Sequence, residues 1–277
     1  MYATTLNYES HFFISGVGVG TTHAQARELS GIESLEIGYQ NSANISKPLG
    51  YQKGVTTING PTSQTLSFSR YLIYDDPVLS FTGEDAVLRG SFNYDNNAAY
   101  GFESGYLSSY SVNCAVGSVP KVNANFVVYD ELRSGTNASG TTVSSIDIPS
   151  QGSITAECIS DSAEPTSTNR VVGFDYSLNV SKMPYYTVGK EVPVAVKHIS
   201  PIEYSASIQL EADDFFLESG YTFLEARGDR TVSFSIKGRN GTTLQSLSIP
   251  KACLISEQLT SSSDGAVRLT LNYIGHS

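Results

Sequence analysis

Apolar and polar residues alternate with a period of two through most of this chain. Ser34–Gln40 (SLEIGYQ), Gln64–Ile73 (QTLSFSRYLI), Val87–Tyr94 (VLRGSFNY), Tyr106–Val116 (YLSSYSVNCAV) and Val122–Tyr129 (VNANFVVY) place apolar side chains at i, i+2 and i+4. That spacing gathers them on one face of a strand and predicts half-buried β-structure. A second series follows at Ser153–Ser160, Arg170–Lys182, Val192–Ile199, Glu203–Ala212, Arg230–Gly238, Ala252–Leu259 and Ala266–Gly275. Turn residues punctuate the runs at Asn59–Pro61, Tyr94–Asn97 and Gly117–Lys121. The pattern predicts one short helix over Thr22–Leu29, capped by Thr21 or Thr22, and a second near Asp213–Ala226. The expected class is all-β with minor α content.

The two series share phrases in the same order. Asn44-Ile45-Ser46-Lys47 matches Asn179-Val180-Ser181-Lys182, at 179 − 44 = 135. Pro61 matches Pro201, Asp75-Asp76 matches Asp213-Asp214, SFNY at Ser91 matches SFSI at Ser233, and VNANFVVY at Val122 matches VRLTLNYI at Val267. Ordered matches with slowly drifting offsets point to one β-domain written twice; the alternative is two β-domains that share only turn grammar. Between the series, Arg133–Thr142 (RSGTNASGTT) has the composition of a linker. The organisation read from this is domain 1 over 1–135, a linker over 136–145 and domain 2 over 146–277, each domain with at most one short helix.

Composition sharpens the picture. The 277 residues carry 16 % charged side chains, 17 Tyr, 12 Phe and no Trp, a balance that suits pleated surfaces. A net charge of −10 argues against a general phosphate-binding surface, yet an acidic wall can let nucleic acid pass without holding it. Cys114, Cys158 and Cys253 fit neither a CxxC motif nor a disulfide framework, and each is expected to be a small core residue. The first residues, MYATTLNYESHFFISG, lack a basic region and a long apolar run, so no signal peptide is expected; no stretch is long and apolar enough to predict a membrane span. The expectation is a soluble protein.

Catalytic chemistry is sparse. His11, His23, His198 and His276 have no metal-ligand spacing. GFESG at Gly101–Gly105 sets its serine one place late for a nucleophile elbow, and GVGVG at Gly16–Gly20 lacks the spacing of a phosphate cradle. The acidic pairs Asp75-Asp76, Glu84-Asp85 and Asp213-Asp214 do not follow calcium-loop order. No enzyme, metal or cofactor is expected. The segments after the repeated phrase are different. Pro48 and Pro184 cannot donate a ladder hydrogen bond, so they belong at an edge, a bulge or a turn. The Lys and Tyr residues around them form candidate inter-subunit contacts: Lys47, Pro48, Tyr51 and Lys53 in the first half, and Lys182, Pro184, Tyr185, Tyr186 and Lys190 in the second.

Several longer stretches carry a resemblance: FFISGVGV, GIESLEIGYQNSANISKPLG, INGPTSQTLSFSRYLIYDDPVLSFTG, GFESGYLSSYSVNCAVGSVPKVNANFVVYDEL and STNRVVGFDYSLNVSKMPYYTVG. Together they resemble tail tube (major tail) proteins of tailed bacteriophages, in the form that has a duplicated tube domain. The resemblance implies two tandem β-sandwich domains and homo-oligomeric rings, stacked into a conduit through which DNA passes without specific binding. Three two-domain chains would make a pseudo-sixfold ring. It further implies other virion tail proteins as partners, no membrane, and a place in the virion tail after synthesis in the host cytoplasm. The competing readings are a phage neck or capsid decoration protein and a β-sandwich carbohydrate-binding adhesin.

Overall fold

A computed structural model of the chain describes residues 11–16, 27–40, 43–46, 49, 55–58, 63–73, 76–84, 86–94, 98–129, 133–134, 155–160, 171–212, 230–238, 240–261 and 267–277. The first series of elements is β1 (His11–Gly16), β2 (Arg27–Glu28), β3 (Ile32–Gln40), β4 (Ala43–Ser46), β5 (Val55–Ile58), β6 (Ser63–Tyr71), a 3₁₀ turn (Pro77–Thr82), β7 (Leu88–Tyr94), β8 (Ala98–Ala115), β9 (Lys121–Val128) and β10 (Arg133–Ser134). The second is β11 (Thr155–Ser160), β12 (Val171–Tyr185), β13 (Ala195–Ala212), β14 (Arg230–Lys237), β15 (Thr243–Ser261) and β16 (Val267–His276). The chain is therefore all-β with minor helix. No helix among the described residues is long and apolar enough to cross a membrane.

All strand pairs among the described residues are antiparallel. Eight strands run side by side in the order β3-β6-β9-β8-β12-β13-β16-β15. Two smaller layers share the long strands β8 and β15: β7 pairs with the first part of β8 and carries β1 on its other side, and β14 pairs with the first part of β15 and carries β11 on its other side. The two series thus repeat one pairing scheme. β1-β7-β8-β9-β6-β3 in the first has the same order along the chain, and the same neighbours, as β11-β14-β15-β16-β13-β12 in the second.

The irregularities repeat too. The β7–β8 register slips between Leu88/Gly105 and Gly90/Phe102, and the β14–β15 register slips between Arg230/Ala252 and Val232/Ile249. A second slip follows in each long strand, at Leu107/Ser109 and at Leu254/Ser256. Bulges bend a strand and increase its twist, so each pair of slips marks where β8 or β15 leaves one layer and enters the next. At the first of these corners Gly105 is needed for space. A Cβ there would lie 2.9 Å from the Phe102 ring and 3.3 Å from the Leu88 carbonyl.

One contiguous core lies between the layers and includes side chains of both series. Alternation supplies it: Leu66, Phe68, Val122, Ala124 and Phe126 point inward while their neighbours point out. Phe174 of β12 stacks on Phe234 of β14 at 5.3 Å, and Tyr176 meets Phe234 edge-on at 6.3 Å. In the first series the 3₁₀ turn lays Phe81 edge-on against Phe126 at 6.0 Å. Asp76 caps that turn, accepting from the Val78 amide at 3.0 Å. The same buried carboxylate accepts from Arg70 Nη1 and Tyr110 Oη at 3.2 Å each. Its backbone amide donates to Gln245 Oε1 of β15 at 2.7 Å, so the two series are tied through one polar knot.

Several sequence expectations change. Arg27 and Glu28, placed in a helix by pattern, form a strand on β1, and Leu29 follows it, buried and non-helical; Thr22–Ala26 of that octet lie outside the described residues. Pairing with a neighbouring strand overrides a short, weakly amphipathic helical pattern. The helix expected near Asp213–Ala226 and the linker at 136–145 also lie outside them. The runs Val192–Ile199 and Glu203–Ala212 belong largely to one strand, β13, and β8 and β15 begin well before their alternating portions. Cys114 is buried, as expected, but Cys253 is exposed; outside the core face its Sγ has only a weak contact, 3.9 Å from the Leu254 carbonyl.

Candidate functional site: a polar sheet face, two edges and a hairpin arm

The eight-stranded sheet buries one face and exposes the other. Inward positions are mostly Leu, Ile, Val, Phe and Tyr; outward positions are mostly Ser, Thr, Asn and Gln, with a few charged side chains and the exposed Ile255 and Ile274 among them. Short hydroxyl and amide side chains pair across the strands of the outer face. Ser34 and Ser69 are 2.9 Å apart, Asn125 donates to Ser109 at 2.8 Å, Ser177 and Ser205 are 2.7 Å apart, and Asn272 donates to Ser256 at 2.7 Å. Asn113 donates to Asp175 across the β8–β12 joint. Such pairs satisfy the groups within the protein and leave a smooth, hydrated surface. The face is concave where Asn113, Asp175, Ser205 and Asn272 meet, with a hollow of about 450 Å3.

Charge on this face is low and acidic. Among its described residues the cations are Lys121 and Arg268. Lys121 donates to both Glu33 oxygens, at 2.7 and 3.0 Å, and lies 5.1 Å from the Tyr71 ring centroid. The hydrogen bond from Lys121 holds the Glu33 carboxyl below its ordinary range. Arg268 stands opposite Glu211 in the ladder. Glu36, Asp175 and Glu203 add negative charge with no cation placed for phosphate. The surface can hydrogen-bond water and repel a polyanion; it lacks the clustered Lys and Arg that bind one.

The sheet ends at two edges. β3 pairs only with β6, and Ser256–Ser261 of β15 pairs only with β16, among the described residues. Tyr39 is 57 % exposed on the first edge and Leu259 46 % exposed on the second.

The residues singled out in the second half lie on an arm that projects beyond the sheet. Ser181–Tyr185 pairs with Ala195–Ile199, and Val194 N closes the loop on the Tyr185 carbonyl at 2.8 Å. Lys182 pairs with His198 in the ladder and donates to the carbonyls of Gly83 and Glu84, at 3.0 and 3.1 Å, so it anchors the arm on the end of the 3₁₀ turn. Pro184 faces Val196 in the register. Tyr185 is exposed, with Lys197 Nζ 5.4 Å from its ring centroid. Tyr186 is half-buried, and desolvation pushes its phenol up. Lys190 is exposed beside Gly189, whose φ of 83° needs glycine in the turn. His198 is pushed down, first by desolvation and then by the charge of Lys182.

Lys47, Pro48, Tyr51 and Lys53 lie outside the described residues. Their flanking strands β4 and β5 form a two-stranded ladder of the same kind. Register makes it the counterpart of the arm: Asn44 pairs with Thr57 as Ser181 pairs with Ile199. With Ile37 set over Phe174 by their partners Leu66 and Ile208, Asn44 corresponds to Ser181, two places on from the phrase match at Asn179. An even slip keeps every side chain on its face, which is why the phrases still read alike.

Pattern reasoning missed the two edges and the polar face as one surface. Their signal was present as Ser and Asn at alternate positions, but strand order is needed to see them side by side. Exposed apolar side chains gather on the arm as well: Met183, Val188, Val192, Val194 and Ile199 are open to solvent in the single chain. No protein-family model matches this chain, and no curated protein matches it significantly.

Proposed function

We propose that this chain is a structural virion protein: a tail tube subunit that assembles into stacked rings and forms a conduit for DNA in a long phage tail. One observation carries the reading. A single sheet of two four-strand runs, in the same strand order, presents a concave Ser/Asn face with acidic and almost no basic charge. A wall of that kind suits a polyanion that must slide and not stick. Three such chains would bring six four-strand runs around a channel, and the two runs are read as copies of one duplicated domain. The exposed apolar arm, with Lys182, Pro184, Tyr185, Tyr186 and Lys190 along it, suits contact with the next ring; Lys47, Pro48, Tyr51 and Lys53 belong to its counterpart. Neither role needs a catalytic group, a metal or a cofactor.

Electron microscopy of concentrated purified protein tests the reading. Rings or tubes with threefold rotational symmetry, pseudo-sixfold density and an open channel are expected. Monomers that persist at all concentrations, or rings of six chains, would overturn the arrangement. Copy number per particle that follows the capsid lattice, and not tail length, would move the protein to a capsid decoration role.

A further inference from the structure

The joint between the two series is a template for a joint between molecules. Within the chain, Ser109–Ala115 of β8 pairs antiparallel with Gly173–Asn179 of β12, with Val112 opposite Tyr176 and Tyr110 opposite Leu178. All four of these side chains are buried. The strand that corresponds to β8 in the second series is β15, and the strand that corresponds to β12 in the first is β3. Both are the open ends of the eight-stranded sheet.

Register makes the correspondence residue by residue. With Val122 over Val267, Val112 falls over Ser261, because each pairs with that valine. Tyr110 pairs with Ala124 and Leu259 with Leu269, so these two correspond. Tyr176 pairs through Ala206 to Tyr273, and Tyr39 pairs through Gln64 to Val128, so these correspond as well. Tyr176 is 3 % exposed and Tyr110 1 %, whereas Tyr39 is 57 % and Leu259 46 % exposed. The two apolar side chains left open in a single chain are the counterparts of two that the internal joint covers. An unpaired edge with exposed apolar residues is a surface for strand addition.

We propose that a second copy of this chain covers this edge: the end of β15 in one copy pairs antiparallel with the end of β3 in the next, in the register of the β8–β12 joint, with Ser261 opposite Tyr39 and Thr260 opposite Gln40. The contact is head-to-tail, so repetition closes into a ring or runs on as a filament, according to the rotation at each joint. The inference rests on the reading of the chain as a self-assembling subunit, and it names which surface meets which.

The test is oxidative cross-linking of the full chain in a Cys253→Ser background. Directly opposed Cβ atoms lie about 4.5–5.5 Å apart, within reach of a disulfide after small adjustment. A mixture of Tyr39→Cys and Ser261→Cys proteins is expected to give a covalent dimer, each alone none, and the double variant a ladder of multimers. Tyr39→Cys mixed with Thr260→Cys puts the thiols on opposite faces and is expected to give none. Leu259→Lys, an exposed change that leaves the circular dichroism of the monomer unaltered, is expected to raise the concentration needed for assembly by about tenfold or more. Rings or tubes that form without the Tyr39–Ser261 cross-link would overturn this joint and leave the proposed function standing. Cross-linked chains that never enclose a channel would leave the joint and overturn the tube. Neither assembly nor cross-link at high concentration would overturn both.

Discussion

Asp76 has the most demanding environment of any residue described. Its buried carboxylate is held by Arg70, Tyr110 and the Val78 amide, and its amide reaches Gln245 in the other series. Removing the carboxylate leaves a buried guanidinium without its ion-pair partner, which typically costs about 3–5 kcal/mol. Asp76→Ala is therefore expected to lower unfolding free energy by roughly that amount in urea melts. Glu33→Gln, which breaks the exposed pair with Lys121, is expected to leave the urea midpoint close to that of the parent. Equal effects from the two variants would contradict the burial argument. Tyr110, beside Asp76, has its phenol pushed up mainly by burial and then by that carboxylate. Cys114 gives a pH prediction. Burial pushes its thiol from 9.0 up to about 11. The folded state holds the proton that the unfolded state gives up, so the stabilisation is complete below about pH 9 and is lost as pH rises toward about 11. Cys114→Ala should flatten that part of a stability–pH profile measured by denaturant melts; an unchanged slope would show that other groups dominate it.

At the scale of elements, the long strands and the arm behave differently. β8 and β15 each serve two layers, and their paired register slips let them bend between them. The arm beyond Ser181 pairs within its own hairpin and is anchored by Lys182 on the carbonyls of Gly83 and Glu84. Lys182→Ala removes that anchor without touching the core. Backbone amides of Ser181–Ile199 are expected to exchange faster by hydrogen–deuterium exchange, with a global stability change of about 1 kcal/mol or less. A global loss as large as that of Asp76→Ala would show instead that the arm folds as one unit with the core. In an assembled tube the same arm would become protected, if it contacts a neighbouring ring as proposed.

For the whole molecule, the outer face of the sheet decides what can pass along it. Its Ser and Asn side chains are already paired with one another, and Lys121 is neutralised by Glu33. Ser111→Lys combined with Ser177→Lys would set two cations side by side across the β8–β12 joint. Each phosphate contact made by a lysine adds about 0.9 to the salt slope of duplex DNA affinity. The parent protein is expected to bind duplex DNA undetectably at moderate salt. The double variant should bind it with affinity that falls as salt rises, measured by fluorescence anisotropy. Tight binding by the parent would contradict a sliding surface.

Much of the fold was legible from residue order. Period-two alternation located the main strands within a few residues, because a strand with one buried face must alternate. The first parts of β8 and β15 were not legible: AAYGFESG and TLQSLSIP mix Gly, Pro and polar residues where the strand bends between layers. β2 was hidden because two residues of strand carry no period. Of the candidate contacts, Tyr185 and Lys190 are exposed, whereas Lys182 is engaged with backbone carbonyls of the same chain, a partner too distant in sequence for spacing to reveal. By itself, then, the sequence determined the β class, the inward and outward identity of most strand positions, and the recurrence of one ordered set of phrases. These are local properties, set by the side-chain period along a single strand. Only the tertiary structure decided that β8 meets β12, that the Ser and Asn positions form one concave face, and that Tyr39 and Leu259 stand at open ends. Those facts depend on which strands are neighbours, and hydrogen-bond pairing between strands far apart in the chain leaves no period for a sequence to display.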